Sequence, residues 1–211
     1  MNIKVCGLTQ IKQIQQIDGL EIDFAGLIFD KNSPRYVGDK LDPETVKNGD
    51  FDCKIVGVFV NPEMIDVLDA IDNYGLDVVQ LHGNESVEMC EDLSEEVEVI
   101  KAFSIGDEKV DIDELIAPYD GVCDYYLFDT RSEKGLAGGT GEQFDWKVLS
   151  NAKIEKPFFI SGGIGVDDTA KLKKFKHPDY FGVDVNSKLE KEPGVKDMGL
   201  VLQFKQGMKK I

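Results

Sequence analysis

Positive charge is scarce in this chain, and arginine is its scarcest source. Against 40 aspartates and glutamates the chain has 24 lysines and arginines, of which only Arg35 and Arg131 are arginines, so the formal net charge is −16. Nucleic acids and anionic membrane surfaces are bound by basic faces, so this composition argues against both as partners. An anionic ligand would have to be bound by local positive groups or by backbone amides.

Long apolar runs and paired cysteines are also missing. No stretch approaches the ~20 apolar residues of a membrane helix, and the first residues do not resemble a signal peptide. The cysteines form no CxxC pair and have no metal-ligand spacing with the two histidines. We therefore expect a cytoplasmic protein without a metal site, in which the four free thiols are Cys6, Cys53, Cys90 and Cys123.

Short β-branched or aromatic runs alternate with amphipathic helical stretches along the whole chain. Helix starts are predicted at Thr9 and at Asp42 and Asn61, each of the last two followed by proline, and one helix is predicted to end near Gly75. The eight predicted strands are residues 2–6, 23–29, 54–60, 77–82, 97–103, 124–129, 157–161 and 180–185.

Eight strands that alternate with helices predict a parallel α/β sheet covered by helices. A closed (β/α)8 TIM barrel and an open doubly wound sheet both fit this pattern. We favour the barrel, as a single domain over residues 1–211, because the strand count is eight and no GxGxxG turn follows the first strand. In a barrel, functional groups lie at the carboxyl ends of the strands. The polar residues and glycines found there are Cys6, Arg35, Gln80, His82, Asp129, Gly162, Gly163, Asn186 and Ser187.

Two polar turns follow the last two predicted strands. Gly162 and Gly163 stand in the first turn, and Asn186 and Ser187 stand in the second. Glycines let the backbone approach an anion, and helix N-termini point N–H donors at it, so these turns predict a phosphate site. The alternative is that the glycines merely form a tight corner.

Two residues of this rim can move protons. Cys6 lies between a strand end and a helix start, where backbone N–H groups favour a thiolate, so it is a candidate base or nucleophile. The alternative for Cys6 is a small buried apolar residue. Asp129 shares the inward parity of Leu127, and an apolar wall there favours its protonated form, which suits a general acid. The alternative for Asp129 is a cap on the next turn.

Further predictions concern the roles of the charged residues near this rim and of one glycine-rich segment. Arg35 can fork onto a carboxylate or a phosphate, and His82 is expected as a hydrogen-bonded rim residue and not a metal ligand. Lys4 and Asp184 both point inward from the first and last strands, so we expect them to form a buried ion pair. The segment 135–141 is either a lid or a solvent-exposed loop.

Ordered segments along nearly the whole chain resemble phosphoribosylanthranilate isomerase, a barrel enzyme of tryptophan biosynthesis. Their order and spacing carry the resemblance more than any one segment does. The segments are KVCGLT at 4–9, SPRYV at 33–37, VGVFVN at 56–61, VQLHGNE at 79–85, LFDT at 127–130, GGTGEQFDW at 138–146, ISGGI at 160–164, VDVNS at 183–187 and PGVKD at 193–197.

The resemblance implies an Amadori rearrangement of N-(5-phosphoribosyl)anthranilate without cofactor or metal. In that reaction Asp129 would protonate the ribose ring oxygen and Cys6 would remove the C2′ proton, while Arg35 would hold the anthranilate carboxylate. The implied partner is a small phosphosugar, with no nucleic acid and no membrane. The other residues expected to bind substrate are Gln80, His82, Gly162, Gly163, Asp184, Asn186 and Ser187.

One departure from the family and several rival functions stay open. Lys188 stands where the family commonly has a glycine in the turn after the last strand, which puts the phosphate geometry in question. Lys101 fits an indole-glycerol-phosphate synthase, but Cys6 would then have no role. A sugar-phosphate epimerase would need a metal cluster, and a dual isomerase would need an aspartate in place of Cys6. A barrel that only binds phosphate would need neither Cys6 nor Asp129. The assembly can be a monomer or a homodimer.

Overall fold

Eight parallel strands close into a barrel in the computed structural model, which describes residues 1–106, 110–130 and 143–209. Each strand pairs with the next along the chain, and the last pairs with the first. The predicted (β/α)8 barrel is therefore confirmed, and the predicted strand ends lie within two residues of the observed ones. The strands are β1 Asn2–Val5, β2 Phe24–Ile28, β3 Lys54–Phe59, β4 Val78–Leu81, β5 Glu98–Ile105, β6 Tyr125–Thr130, β7 Phe158–Ile160 and β8 Tyr180–Val185.

Helices cover the outside of this barrel. Within the described residues, no helix is both long enough and apolar enough to cross a membrane. The α-helices are α1 Ile11–Gly19, α2 Pro43–Lys47, α3 Met64–Tyr74, α4 Val87–Ser94, α5 Ile112–Ile116, α6 Lys147–Ser150, α7 Thr169–Lys174 and α8 Met198–Met208. Short 3-10 turns are formed by Ala117–Tyr119, Val166–Asp168 and Ser187–Leu189.

Two predicted helix boundaries are confirmed. The Asp42 carboxylate accepts a hydrogen bond from the Thr45 backbone N–H at 2.9 Å and so caps α2, whose first residue is a proline. Proline is favoured there because its fixed φ suits a helix and its missing N–H would have no partner. Gly75 ends α3 in the left-handed conformation, with φ of +64°. Glycine adopts this conformation without steric cost.

Two other predicted helix boundaries are wrong. The Thr9 hydroxyl donates to the carbonyl of Gly194 at 2.6 Å, so it is bonded to a segment that is distant in the sequence, and α1 begins without a side-chain cap. Asn61 has φ of +46°, and its Oδ1 atom accepts a hydrogen bond from the Asn84 backbone N–H. Asn61 therefore joins two loops, and α3 begins only at Met64.

Aromatic rings fill the amino-terminal end of the barrel. Phe24, Tyr125 and Phe181 lie at or next to the starts of their strands and pack on one another and on Phe159. Their ring centroids are 5.3 to 6.4 Å apart. Because these rings occupy the interior at this end, room for a ligand remains at the carboxyl ends of the strands.

A two-stranded antiparallel hairpin that we did not predict follows β8. It consists of β9 Glu190–Glu192 and β10 Val195–Lys196, and it turns at Gly194, where φ is +86°. A Cβ atom at Gly194 would lie 2.7 Å from the side chain of Thr9, so the hairpin packs directly against the loop after β1. The hairpin thereby brings Glu190 and Lys196 to the rim of the barrel.

The predicted ion pair between Lys4 and Asp184 is confirmed. The two residues are register partners on β1 and β8, and the Lys4 Nζ atom donates to Asp184 Oδ1 at 2.9 Å. The other carboxylate oxygen accepts from the Ser161 hydroxyl at 3.1 Å. Burial alone would lower the pKa of Lys4, but attraction to Asp184 and to the thiol of Cys6 outweighs burial and raises it. Lys4 is therefore charged in the folded protein at neutral pH.

We expect Lys4→Met to lower the free energy of unfolding by about 3–5 kcal/mol, because it leaves the Asp184 carboxylate buried without its partner. Since the pKa of Lys4 is raised in the folded state, the pair's contribution is complete at neutral pH and is lost only as the pH rises through that raised pKa. Urea unfolding of the wild type and the variant at neutral pH measures the difference.

The matched control is Lys54→Met. Lys54 pairs with Glu98 at 2.6 Å at the other end of the barrel, but its side chain is 40% exposed, so we expect a loss below about 1 kcal/mol. Equal losses in the two variants would contradict a special role for the buried pair.

Candidate active site

A pocket that is open to solvent lies at the carboxyl ends of the strands. Its apolar wall includes Val58 and Ile164, and Asp30 and Ser33 contribute further polar groups from the loop after β2. Nine of the ten predicted site residues line this pocket, and Arg35 does not. These nine are Cys6, Gln80, His82, Asp129, Gly162, Gly163, Asp184, Asn186 and Ser187.

Cys6 follows the last residue of β1 and is almost fully buried. Its backbone N–H donates to the carbonyl of Val185, which continues the β1–β8 pairing and holds the thiol at the seam of the barrel. A Cβ atom at Gly26 would lie 2.8 Å from the Cys6 Sγ atom, so the glycine leaves room for the sulfur. Burial raises the pKa of Cys6, although the Lys4 ammonium opposes this shift. The predicted stabilisation of a thiolate by backbone groups is therefore wrong, because desolvation of the sulfur is the larger effect in this pocket.

Asp129 lies in β6, one residue before the end of the strand, and is 3% exposed. Its Oδ1 atom accepts a hydrogen bond from the neighbouring Thr130 backbone N–H at 3.0 Å. Its Oδ2 atom lies 3.2 Å from the Nε2 atom of His82. The carboxyl group therefore faces the pocket with a specific partner, His82, directly after β4, instead of an apolar wall alone.

His82 connects Asp129 to Gln80. Its Nδ1 atom lies 2.6 Å from the Nε2 atom of Gln80, so amide, imidazole and carboxyl group form a row. The prediction of a hydrogen-bonded rim histidine is confirmed. Gln80 is 1% exposed, and its Oε1 atom has no hydrogen-bond partner among the described residues.

Arg35 is held by Glu190 of the hairpin. Its Nε and Nη2 atoms donate to the two carboxylate oxygens at 2.7 to 3.1 Å, and Glu190 also accepts from Lys196 at 2.7 Å. Burial alone would raise the pKa of Glu190, but these two cations outweigh it and hold that pKa below its usual value. Lys196 donates in turn to Asn186 Oδ1 at 2.6 Å. A row of polar contacts thus joins Arg35 to the turn after β8.

Sequence reasoning missed Glu190 and Lys196. Lys196 lies within the PGVKD segment at 193–197, which contributed to the family resemblance, so that segment was a signal from which Lys196 could have been predicted as a site residue. Glu190 has no local signal, because its partner Arg35 is 155 residues away in the sequence.

The two turns predicted to bind phosphate lie side by side on β7 and β8. Gly162 and Gly163 have φ of +96° and +60°, and a Cβ atom at Gly162 would collide with Thr130. Position 162 therefore requires glycine, because other residues rarely adopt this positive φ and because any side chain would collide with Thr130. Lys188 is exposed within the 3-10 turn Ser187–Leu189 and does not have a positive φ, so the glycine absent there is not needed for the backbone.

The structure also bears on the alternatives left open by the sequence. Lys101 is 2% exposed and donates to Glu85 at 2.7 Å and to the Gly83 carbonyl at 2.8 Å, so it supports the turn after β4 and does not line the pocket. Among the described residues, no group of three or more His, Cys, Asp or Glu side chains could hold a metal ion. The segment 135–141, for which a lid or an exposed loop was expected, lies outside the described residues.

Several known proteins that are similar to this chain have the same activity in their names. The family model for N-(5'-phosphoribosyl)anthranilate isomerase matches residues 3–207. A protein of that name from Parabacteroides distasonis is 40% identical over 208 residues, which are 98% of this chain and 92% of the relative. The crystal structure of phosphoribosyl anthranilate isomerase from Thermotoga maritima superposes with a TM-score of 0.84 at 28% identity, over 99% of this chain and 98% of that one.

Another crystal structure of a phosphoribosyl anthranilate isomerase contains reduced 1-(o-carboxyphenylamino)-1-deoxyribulose 5-phosphate. It superposes with a TM-score of 0.79 at 28% identity, over 99% of this chain and 98% of that one. The family match spans nearly the whole chain, and the Parabacteroides relative is similar over a comparable length. The chain belongs to the N-(5'-phosphoribosyl)anthranilate isomerase family.

Proposed function

We propose that this chain, acting as one catalytic barrel domain, isomerises N-(5'-phosphoribosyl)anthranilate to 1-(2-carboxyphenylamino)-1-deoxyribulose 5-phosphate in tryptophan biosynthesis. The observation that carries the proposal is the placement of a thiol and a carboxyl group in one pocket. Cys6 reaches it from the end of β1 and Asp129 reaches it from β6, on a separate part of the barrel wall. An aldose-to-ketose rearrangement needs one group that gives a proton and another that takes one.

The reaction begins at Asp129. The protonated carboxyl group gives its proton to the ribose ring oxygen, the C1′–O bond breaks, and the nitrogen lone pair forms a cationic Schiff base. The Cys6 thiolate then removes the proton from C2′, and the electron pair of that bond neutralises the nitrogen to give an enolamine. The enolamine tautomerises to the ketone.

The charge of the Schiff base offsets the cost of ionising Cys6. Burial by itself disfavours the thiolate, whereas a cation next to the sulfur favours it. Lys4 acts in the same direction from below, since it attracts the thiolate from inside the barrel. The base therefore becomes effective at the step in which the cationic intermediate is present.

We assign the two anionic ends of the substrate to the two polar turns and to Arg35, which lies outside the pocket lining but is joined through Glu190 and Lys196 to the turn after β8. Gly162, Gly163 and the turn after β8 lie against the pocket and present backbone close to a phosphate. Glu190 occupies the Nε edge of Arg35, and the Nη1 atom makes no hydrogen bond to any described residue. That atom is the donor we assign to the anthranilate carboxylate. The ligand named for the solved relative carries both a carboxylate and a phosphate, the two groups for which this assignment provides.

Cys6→Ser and Asp129→Asn should each lower kcat by at least about 10²- to 10⁴-fold, because each removes one partner of the acid–base pair. The loss of phosphoribosylanthranilate fluorescence measures turnover, and circular dichroism checks that both variants are folded. Cys53→Ser is the matched control, since Cys53 is buried but does not line the pocket. Full activity in either active-site variant would refute the assignment of that residue.

The pH dependence of thiol alkylation should report the raised pKa of Cys6. Only the thiolate reacts, so alkylation of ligand-free enzyme by iodoacetamide should rise about tenfold per pH unit from neutral pH upward. Mass spectrometry of the peptides separates Cys6 from Cys53, whose pKa is raised to about 12 by burial. A rate for Cys6 that is already maximal at neutral pH would show that its pKa is not raised.

Arg35→Lys should raise the KM for phosphoribosylanthranilate by about 10- to 100-fold and leave kcat nearly unchanged. A lysine cannot keep the two-pronged contact with Glu190 and also reach a ligand carboxylate, so a charged hydrogen bond worth about 1.5–3 kcal/mol is lost. Steady-state kinetics measures both constants. Lys31→Gln, an exposed cation on the same loop, should leave KM unchanged. An unchanged KM for Arg35→Lys would remove Arg35 from the binding site.

A further inference from the structure

The row formed by Gln80, His82 and Asp129 contains groups that the acid–base pair does not explain. The Gln80 amide nitrogen lies 2.6 Å from His82 Nδ1, and His82 Nε2 lies 3.2 Å from Asp129 Oδ2. Gln80 and Asp129 are nearly fully buried, and the His82 side chain is 11% exposed at the pocket. Each member of the row therefore faces mainly its neighbours, so the position of one hydrogen constrains the next.

The observed orientation of the Gln80 amide fits an ionised Asp129. An amide nitrogen only donates, so His82 Nδ1 must accept and the proton of the neutral ring is on Nε2. That proton is donated to Asp129 Oδ2, which must then be a carboxylate oxygen. This arrangement of donors and acceptors corresponds to the form that follows proton transfer to a substrate.

A protonated Asp129 requires the opposite arrangement. Its carboxyl O–H would donate to His82 Nε2, so the ring proton would be on Nδ1 and would need an acceptor. Gln80 supplies this acceptor if its side-chain amide flips, because Oε1 then takes the place of Nε2 and faces Nδ1. In the observed orientation Oε1 is buried without a partner among the described residues. The flip gives Oε1 a hydrogen bond and moves the amide nitrogen into the position that Oε1 leaves, so both orientations satisfy one of the two amide atoms.

We propose that Gln80 and His82 are positioning residues that hold Asp129 in its acid form before proton transfer and as a carboxylate afterwards. The amide of Gln80 turns, and His82 changes tautomer, with the protonation state of Asp129. The ring carries one proton in both states and exchanges it with pocket water, so the only net transfer is from Asp129 to the substrate. This proposal rests on the acid role assigned to Asp129.

The other ionisable groups around the pocket belong to different strands. Cys6 faces it from the end of β1, Asp30 from the loop after β2 and Asp184 from β8, where Asp184 is neutralised by Lys4. The described part of β7 and the turn after it contribute no ionisable side chain to the lining. Asp129 is the only ionisable group within hydrogen-bond distance of the His82 ring among the described residues.

Nitrogen NMR of the full chain, labelled with ¹⁵N-histidine and without substrate, tests the proposal. The shifts of the two ring nitrogens distinguish the tautomers, and the chain has only two histidines. In spectra taken over a series of pH values, we expect the His82 ring to carry its proton on Nδ1 wherever Asp129 is protonated and on Nε2 wherever Asp129 is a carboxylate. The neutral ring of His177 should keep its proton on Nε2, because its Nδ1 accepts from the Asp179 backbone N–H and its Nε2 faces the Ala152 carbonyl.

Two variants separate this role from simple packing. Asp129→Asn should abolish the pH-linked change of tautomer. Gln80→Met, of similar size but without hydrogen bonds, should leave the ring with mixed tautomers and lower kcat about 10- to 100-fold with little change in KM, the cost typical of losing a partner that fixes a histidine tautomer.

Three results would overturn the proposal. These are one unchanging tautomer of His82 in the wild type, uptake of a second proton by the ring in place of Asp129, or wild-type tautomers and kcat in Gln80→Met. Failure of the proposed function is separate, since it would appear as full isomerase activity in Asp129→Asn, whereas the NMR reads the resting protein.

Discussion

The Lys4 ammonium and the Asp184 carboxylate meet inside the barrel where the last strand returns to the first. Neither charge could stay there alone, because desolvation of an unpaired ion is far more costly than that of a pair with good hydrogen bonds. The pairing also sets the register of β1. A slip of one residue would turn Lys4 outward and, with it, Cys6, which shares its face of the strand. The inward position of the thiol thus depends on the same contact.

Positive charge that is rare in the whole chain is concentrated around this seam. Lys4, Lys196 and Arg35 lie within a protein of net charge −16, and two buried carboxylates, Asp184 and Glu190, hold them in place. Long-range attraction of an anionic substrate is therefore weak, and binding relies on short contacts in a partly desolvated pocket. The acidic surface and the cationic seam are compatible because exposed charges are screened by salt and buried ones much less.

The fold and most of the pocket could be predicted because their signals are local. Strands of a parallel barrel are buried on both faces and read as short apolar runs, and the residue after each run points to the same rim. Local signals failed where a distant group competes for the same side chain. Thr9 looks like a helix cap, but its hydroxyl is taken by a carbonyl 185 residues away. In the sequence Arg35 has no evident partner, but in the structure it donates to the Glu190 carboxylate, and no short sequence pattern links the two residues.

Burial is the other property that the sequence did not reveal. The position of Cys6 at a strand end suggested a thiolate, whereas closure of the barrel removes the sulfur from water and raises its pKa. The connection between Gln80 and Asp129 could not be predicted from the sequence either. It runs through His82 and joins residues of β4 and β6, which are not neighbouring strands.

Closure of the barrel between β1 and β8 also determines when the site can form during synthesis. The first strand, which leads to Cys6, leaves the ribosome early, but its partners on β8 and the hairpin are among the last residues made. Such contacts between distant parts of the chain form slowly. Until then Lys4 and its neighbours lack their partners, and an apolar strand edge is exposed. Nascent chains that pause before residue 180 would therefore need protection from aggregation although most of the barrel has already been synthesised.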